Sequence, residues 1–308
     1  MNTKKFFDRL GAYTMKKLMR FFSWFEFETI SRLSFLGLVF YYLFPLRKKM
    51  LVENLIRTGF CRNEEECVPF LKGIYTCQML NFFEFFWMSN MTKTSVINKN
   101  FRIHGLTNLK KAISGQEGGV IISSHLSNWE LLSVAVGKIG VKMSALIVER
   151  DIEIHKVASA ARVVTGNGVM DRNHSALKCM RLIKRKNFAG IVSDQHTDNA
   201  GVRTKFMGLD CMSTSLPAAL SLKTGCPIYG VFMIRSADNK SHDIYIEPAL
   251  YAKDFAGTGN GEDTTIVSCT QALNDMIEKY IKMAPEQWFW FHKRWRMDGG
   301  PAPEKKEE

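Results

Sequence analysis

The chain has 308 residues, 46% hydrophobic and 23% charged, a balance that fits a globular protein rather than a disordered chain or a multispanning membrane protein. Forty-two Lys and Arg against 30 Asp and Glu give a net charge of +12, which points to an anionic partner: phospholipid headgroups, a nucleic acid or an acidic carrier protein. The seven cysteines are odd in number, scattered and never spaced C-x-x-C, which argues against a disulfide framework or zinc knuckle and fits a reducing compartment.

The first 60 residues hold 11 Lys and Arg against four acids, a net +7 of the +12. Residues 1 to 25 mix these cations with bulky apolar side chains at roughly helical spacing, the profile of a helix in a membrane interface or of one packed on its own domain. Lys16, Lys17, Arg20, Glu26 and Glu28 interrupt the early apolar residues, so no cleavable signal peptide is expected. Leu33 to Leu46 is apolar apart from Ser34, is broken by Pro45 and runs into Arg47, Lys48 and Lys49. A full span needs about 20 apolar residues, so partial insertion with the cations at the headgroups is expected, the alternative being a buried core helix. Helices are predicted over Lys48 to Arg57 and Glu64 to Met88.

From about Phe101 short β-rich runs alternate with helical stretches: 118–124, 143–148, 188–194, 227–234 and 243–248. Such alternation predicts an α/β fold, a mostly parallel central sheet flanked by helices, with the active site at the carboxyl ends of strands. The expected organisation is N-terminal membrane-associating helices over 1–60, an α/β catalytic domain over 61–298 and a disordered tail over 299–308.

Gly119 to Leu132 carries the chemistry. An apolar strand ends at His125, just before a helix, and Glu130 follows in the first helical turn. A neutral imidazole there can take a proton from a hydroxyl, with a carboxylate to fix its tautomer. Ser127-x-x-Glu130 also matches a capping box, which would make Glu130 structural while leaving His125 unexplained. The run 188–194 delivers Asp194 to the same sheet edge, as a second candidate partner or as an Asx turn. No G-x-S-x-G elbow is present, so the nucleophile is expected to be the substrate's own hydroxyl. Seven scattered histidines without H-E-x-x-H speak against a metal centre. The segment Pro285 to Trp295 concentrates three tryptophans with His292, Lys293 and Arg294, and no nucleic-acid fold signature accompanies them.

The spacing His-x-x-x-x-Glu, the Ser-Asp-Gln-His segment at 193–196 and the Pro285 to Trp295 segment together resemble the bacterial lipid A biosynthesis (late, secondary) acyltransferases. These lie within the wider H-x-x-x-x-D/E glycerolipid acyltransferase group. The resemblance implies an O-acyltransferase that moves a fatty acyl chain from acyl carrier protein or acyl-CoA to a hydroxyl of a lipid A precursor or related glycolipid. It implies no cofactor and a place on the cytoplasmic face of the bacterial inner membrane. His125 would be the base, with Glu130 and Asp194 as acidic partners. Arg162 falls at the spacing of the family's arginine ahead of the Asp171-Arg172 pair. Arg150, Arg162, Arg172, His292 and Arg294 become candidate substrate contacts. His196 stands where the family usually has a second aspartate. A lysophospholipid acyltransferase, a hydrolase and a noncatalytic membrane-associated lipid-binding protein are the alternatives.

Overall fold

The apolar runs 118–124, 188–194 and 227–234 form strands buried on both faces, as strands at the centre of a parallel sheet must be, whereas 143–148 and 243–248 form strands that are only partly buried. The computed structural model describes residues 3–148, 152–197, 201–257 and 261–296. The N-terminal third is helical: α1 (Thr3–Phe22), α2 (Phe27–Ser31), α3 (Phe35–Leu43), α4 (Lys48–Arg57), α5 (Glu64–Trp87) and α6 (Thr94–Asn100). There follow β1 (Phe101–His104), α7 (Lys110–Ile113), β2 (Gly119–Ser123), α8 (Trp129–Lys138), β3 (Met143–Ile147), α9 (Glu153–Arg162), β4 (Gly168–Asp171), α10 (Ser175–Lys184) and β5 (Phe188–Val192). The chain continues through β6 (Gly201–Phe206), β7 (Leu209–Thr214), α11 (Leu216–Thr224), β8 (Ile228–Arg235), β9 (His242–Ile246) and α12 (Glu262–Met283).

Seven strands make one sheet in the order β1-β9-β8-β2-β5-β3-β4. All neighbours are parallel except β8 and β9, which form a hairpin. Successive residues of β2 point to opposite faces. Val120 and Ile122 pack into one core cluster with α4, α5, α11 and α12, while Ile121 packs into the other with α8. The sheet is thus the middle layer of a three-layer α/β fold.

Two strands of this sheet, β1 and β4, lie outside the apolar runs because they are only four residues long and carry polar residues. The β6–β7 pair is a separate two-stranded antiparallel ribbon. Its two-residue turn, Met207 at φ 50° and Gly208 at φ 77°, has the paired positive φ of a type I′ hairpin.

The cysteine expectation needs correction: Cys61 and Cys67, at a Cα separation of 5.5 Å, form a disulfide, while the other five are free and buried. Helix α5 brings Cys67 back towards Cys61, just beyond α4, so a six-residue spacing suffices where no C-x-x-C exists.

The outer surface of the N-terminal helices carries many large apolar side chains, interleaved on α1 with the exposed cations Lys5, Arg9, Lys16, Lys17 and Arg20. Phe6, Phe7, Leu10 and Tyr13 of α1 and Phe35, Leu38, Val39, Tyr42 and Leu43 of α3 are exposed, as are Trp24, Phe44 and Leu46. Helix α3 lies tight on α5, since a Cβ on Gly37 would fall 2.3 Å from the Thr76 Cα. No single described helix is long and apolar enough to cross a membrane, although the stretch 27–43 and α4, bent by 100°, pass that test together on length and composition.

Candidate active site

Strands β2 and β5 are adjacent and in register, with Ser123 opposite Val192 and the Ser193 amide donating to the Ser123 carbonyl at 3.1 Å. Two residues further on each strand, that register sets His125 opposite Asp194. The ring Nδ1 lies 2.7 Å from Asp194 Oδ1, and the His125 main-chain N–H donates to Oδ2 at 2.8 Å. Trp288 Nε1 donates to the same Oδ2 at 2.6 Å. The Asp194 side chain is fully buried while 19% of the His125 side chain meets solvent, so the pair is an enclosed carboxylate with an accessible imidazole.

Burial alone would raise the Asp194 pKa. The charge of His125 and its hydrogen bond, with help from His292 and Trp288, outweigh burial and hold the carboxyl well below the usual carboxylate range. An ionised Asp194 can only accept, so the network assigns the proton to His125 Nδ1 and leaves Nε2 with a lone pair. Gln195 Nε2 donates towards that lone pair at 3.3 Å. Trp129 meets the imidazole at a ring separation of 4.8 Å and Phe289 at 6.1 Å. The Phe289 amide donates to the His125 carbonyl at 2.9 Å, which ties the C-terminal segment across the catalytic loop.

Glu130 is differently placed. The capping box expected at Ser127 is not formed: Asn128 is the N-cap of α8, its Oδ1 accepting from the Glu130 and Leu131 amides at 3.2 Å each. Ser127 sits at φ 52°, which turns the chain sharply before the helix and moves the cap on by one residue. The Glu130 carboxylate instead forms a two-pronged ion pair with Arg162, with Nε at 2.7 Å and Nη2 at 2.6 Å. Although burial opposes the Arg162 charge, Glu130 raises its pKa.

The other residues singled out from the sequence separate. Arg172, just past β4, is exposed on the strand-end side. Arg150 lies outside the described residues. Arg294 is fully buried, its guanidinium donating to the Met212 carbonyl at 2.6 Å, the Ser213 hydroxyl at 2.6 Å and the Gln195 carbonyl at 3.3 Å. It lies 4.7 Å from the Phe206 ring centre, so it braces β7 and the Gln195 loop instead of facing a phosphate. His196 is half-buried. Gln195 and Trp288, both in contact with the dyad, were not singled out, although each lies inside a segment that was.

His292 packs against Trp288 at a ring separation of 5.1 Å. Burial pushes its imidazole down to about 4, opposed by Asp194 and assisted by His125, Arg294 and Arg47. Its ordinary value is 6.5, so between those two values the unfolded chain binds a proton that the folded chain refuses, and stability falls as pH drops through that window. The full window is worth about 3 kcal/mol. His292→Gln is therefore expected to flatten the acid-side loss, measured as urea midpoints at about pH 7 and about pH 4.5. Equal acid-side losses in the two proteins would contradict the assignment.

A family model described as bacterial lipid A biosynthesis acyltransferase matches residues 43–297. A lipid A biosynthesis palmitoleoyltransferase of Escherichia coli (strain K12) is 24% identical over 204 residues, 66% of this chain and 63% of that protein. A lipid A biosynthesis acyltransferase of Shigella flexneri matches at the same identity and coverage. The matched stretch thus spans a little under two thirds of the length of each relative.

Proposed function

We propose that this chain, which belongs to the bacterial lipid A biosynthesis acyltransferase family, moves a fatty acyl group from a thioester to a hydroxyl of a lipid A precursor or related glycolipid, with His125 as general base. The observation that carries the reading is the 2.7 Å contact between His125 Nδ1 and the buried Asp194 carboxylate, which leaves Nε2 as the proton acceptor. In the reaction an acceptor hydroxyl displaces the Gln195 amide from Nε2 and gives up its proton there. The oxygen attacks the thioester carbonyl, and Asp194 stabilises the imidazolium that forms. The Trp129 amide at the N-terminus of α8 is the candidate for donating to the oxyanion, since Asn128 already takes the amides of Glu130 and Leu131. Collapse of the tetrahedral species breaks the carbon–sulfur bond, and the imidazolium returns its proton to the thiolate. The ester is formed without an acyl-enzyme.

Glu130 acts in this account by fixing Arg162 beside the helix that follows His125, and Arg162 and Arg172 supply positive charge for acceptor phosphates. Acyl carrier protein is the favoured donor; it is acidic and suits a chain of net charge +12, although acyl-CoA is also anionic. The division of labour follows the chain, with residues 1–60 contributing attachment and 61–298 catalysis.

We place the protein on the cytoplasmic face of the bacterial inner membrane, held by the exposed apolar faces of α1 and α3 with Arg47, Lys48 and Lys49 at the headgroups. Each apolar side chain that enters the bilayer contributes about 1.5–3 kcal/mol, so the paired substitution Val39→Glu and Leu43→Glu is expected to weaken binding to anionic vesicles at least about 10-fold. Co-sedimentation with such vesicles measures this, and unchanged partitioning would sink the attachment reading. The transfer itself is tested by supplying purified protein with acyl carrier thioester or acyl-CoA and either a lipid A precursor or a lysophospholipid. Acylation of the lipid A precursor supports the reading; acylation of the lysophospholipid alone would replace it.

A further inference from the structure

Beneath the catalytic loop lies a polar network that none of the chemistry above uses. Glu84 and Asn81, one turn apart on α5, are buried, Glu84 completely. Glu84 pairs with the buried guanidinium of Arg235 at the end of β8, through Nη1 and through Nη2 at 2.9 Å. The same Nη2 donates to Asn81 Oδ1 at 2.8 Å. On the other side, Asn128 Nδ2 donates to Glu84 Oε2 at 2.9 Å, and Asn81 Nδ2 donates to the Ser127 carbonyl at 2.7 Å. Gln287 completes the set: its carbonyl accepts the Ser127 amide at 2.9 Å, and its side chain bonds both main-chain groups of Arg235, at 2.7 and 3.0 Å.

The network therefore grips the loop where it is least willing to stay. Ser127 holds a positive φ that costs a non-glycine residue about 1 kcal/mol or more, and such a conformation persists only when its surroundings over-determine it. Both main-chain groups of Ser127 and the side chain of the next residue are held here. A buried ion pair is no stability device by itself, because its desolvation offsets the attraction, so its geometry is the more informative property. That geometry joins three layers: the helical cover, the sheet and the residue that caps α8.

We propose that Asn81, Glu84 and Arg235 are positioning residues that hold the loop from His125 to Asn128 in its active conformation by way of the Ser127 carbonyl and the Asn128 side chain. The inference rests on His125 being the base of the reaction proposed above. None of the three contacts substrate or the reacting atoms; they act through Ser127 and Asn128. A misplacement of the base by about 1 Å can cost about 100-fold in rate, so a shift of the loop shows in turnover before it shows in folding.

The test separates the strut from the cap. Asn128→Ser keeps a good N-cap for α8 but loses the bond to Glu84. It is expected to lower kcat about 30-fold with donor KM unchanged. It is also expected to shift or broaden the Nδ1 proton resonance of His125, read by NMR on selectively labelled protein. The double change Asn128→Asp with Glu84→Gln restores a donor–acceptor pair between the two positions with the same total charge, but turns an amide towards Arg235 Nη2, and is expected to recover part of the loss; Asn128→Asp alone sets two carboxylates face to face and is expected to be worse than Asn128→Ser. Val134→Ala, in the core face of α8, serves as a variant of comparable or greater destabilisation that leaves the strut intact. Full turnover in Asn128→Ser with an unmoved His125 resonance would overturn the proposal, as would equal losses of kcat in Val134→Ala. Because the resonance is read without substrate, it tests the positioning role even if wild-type protein fails to transfer acyl groups, a failure that would count against the reaction instead.

Discussion

Asp194→Asn is expected to lower kcat for acyl transfer about 10⁴-fold while leaving the fold intact, the size of loss that the same change causes in a Ser–His–Asp triad. The direction follows from the hydrogen bonds. Asp194 Oδ2 accepts from the His125 main chain and from Trp288, so an asparagine must turn its single oxygen to those two donors. Its amide nitrogen then faces His125 Nδ1, which must become an acceptor, and the ring proton moves to Nε2. The lone pair that the acceptor hydroxyl needs is lost. Steady-state rates with a labelled acyl thioester measure the effect, and thermal unfolding checks that the variant is folded. Glu130→Gln is the comparison: it keeps a hydrogen bond to Arg162, has no contact with the imidazole and is expected to cost only about 10-fold, within the range of a lost charge-assisted bond. If the two variants lost activity in the reverse order, Glu130 would be the partner of the base and the assignment to Asp194 would fail.

His125→Ala should remove the base altogether and reduce kcat about 10⁴-fold or more, at the top of the usual range for general-base catalysis, with donor binding little changed. The loss should be at least as steep as that of Asp194→Asn, because a misprotonated imidazole can still reach the productive tautomer whereas an alanine offers no base. Single-turnover rates separate the chemical step from product release. A variant within about threefold of wild type would place the base elsewhere, since positioned bases contribute at least about 10²-fold.

Much of the sheet is legible in the sequence, for one physical reason. Strands buried on both faces are written as unbroken apolar runs, and 118–124, 188–194 and 227–234 stand out for that reason. The short β1 and β4 bury fewer side chains and leave weaker traces. Helix α4 is readable to its ends, and α5 to within one residue at its C-terminus.

The site is legible in a different measure. His125 is conspicuous because nothing in helix capping asks for an imidazole there. Asp194 is legible as one of two candidate partners, but it lies 69 residues away, and only the pairing of β2 with β5 decides between it and Glu130. Glu130, closer in sequence, points to Arg162. Arg294 reads as a candidate substrate contact because its burial depends on the β6–β7 ribbon, for which the sequence carries no long apolar run. Glu84 and Arg235 carry no local signal: a glutamate in a helix and an arginine at a strand end are ordinary surface residues until α5 is laid over the sheet.

The central claim is direct transfer from thioester to lipid hydroxyl under base catalysis by His125. The most direct test incubates purified protein with a labelled acyl thioester, with and without lipid acceptor, and follows the label by mass spectrometry in lipid, free fatty acid and protein. Label is predicted to enter lipid only when the acceptor is present, to depend on His125 and never to accumulate on the protein. Release of free fatty acid at the same rate without acceptor, or a stable acyl adduct on the protein, would contradict the account.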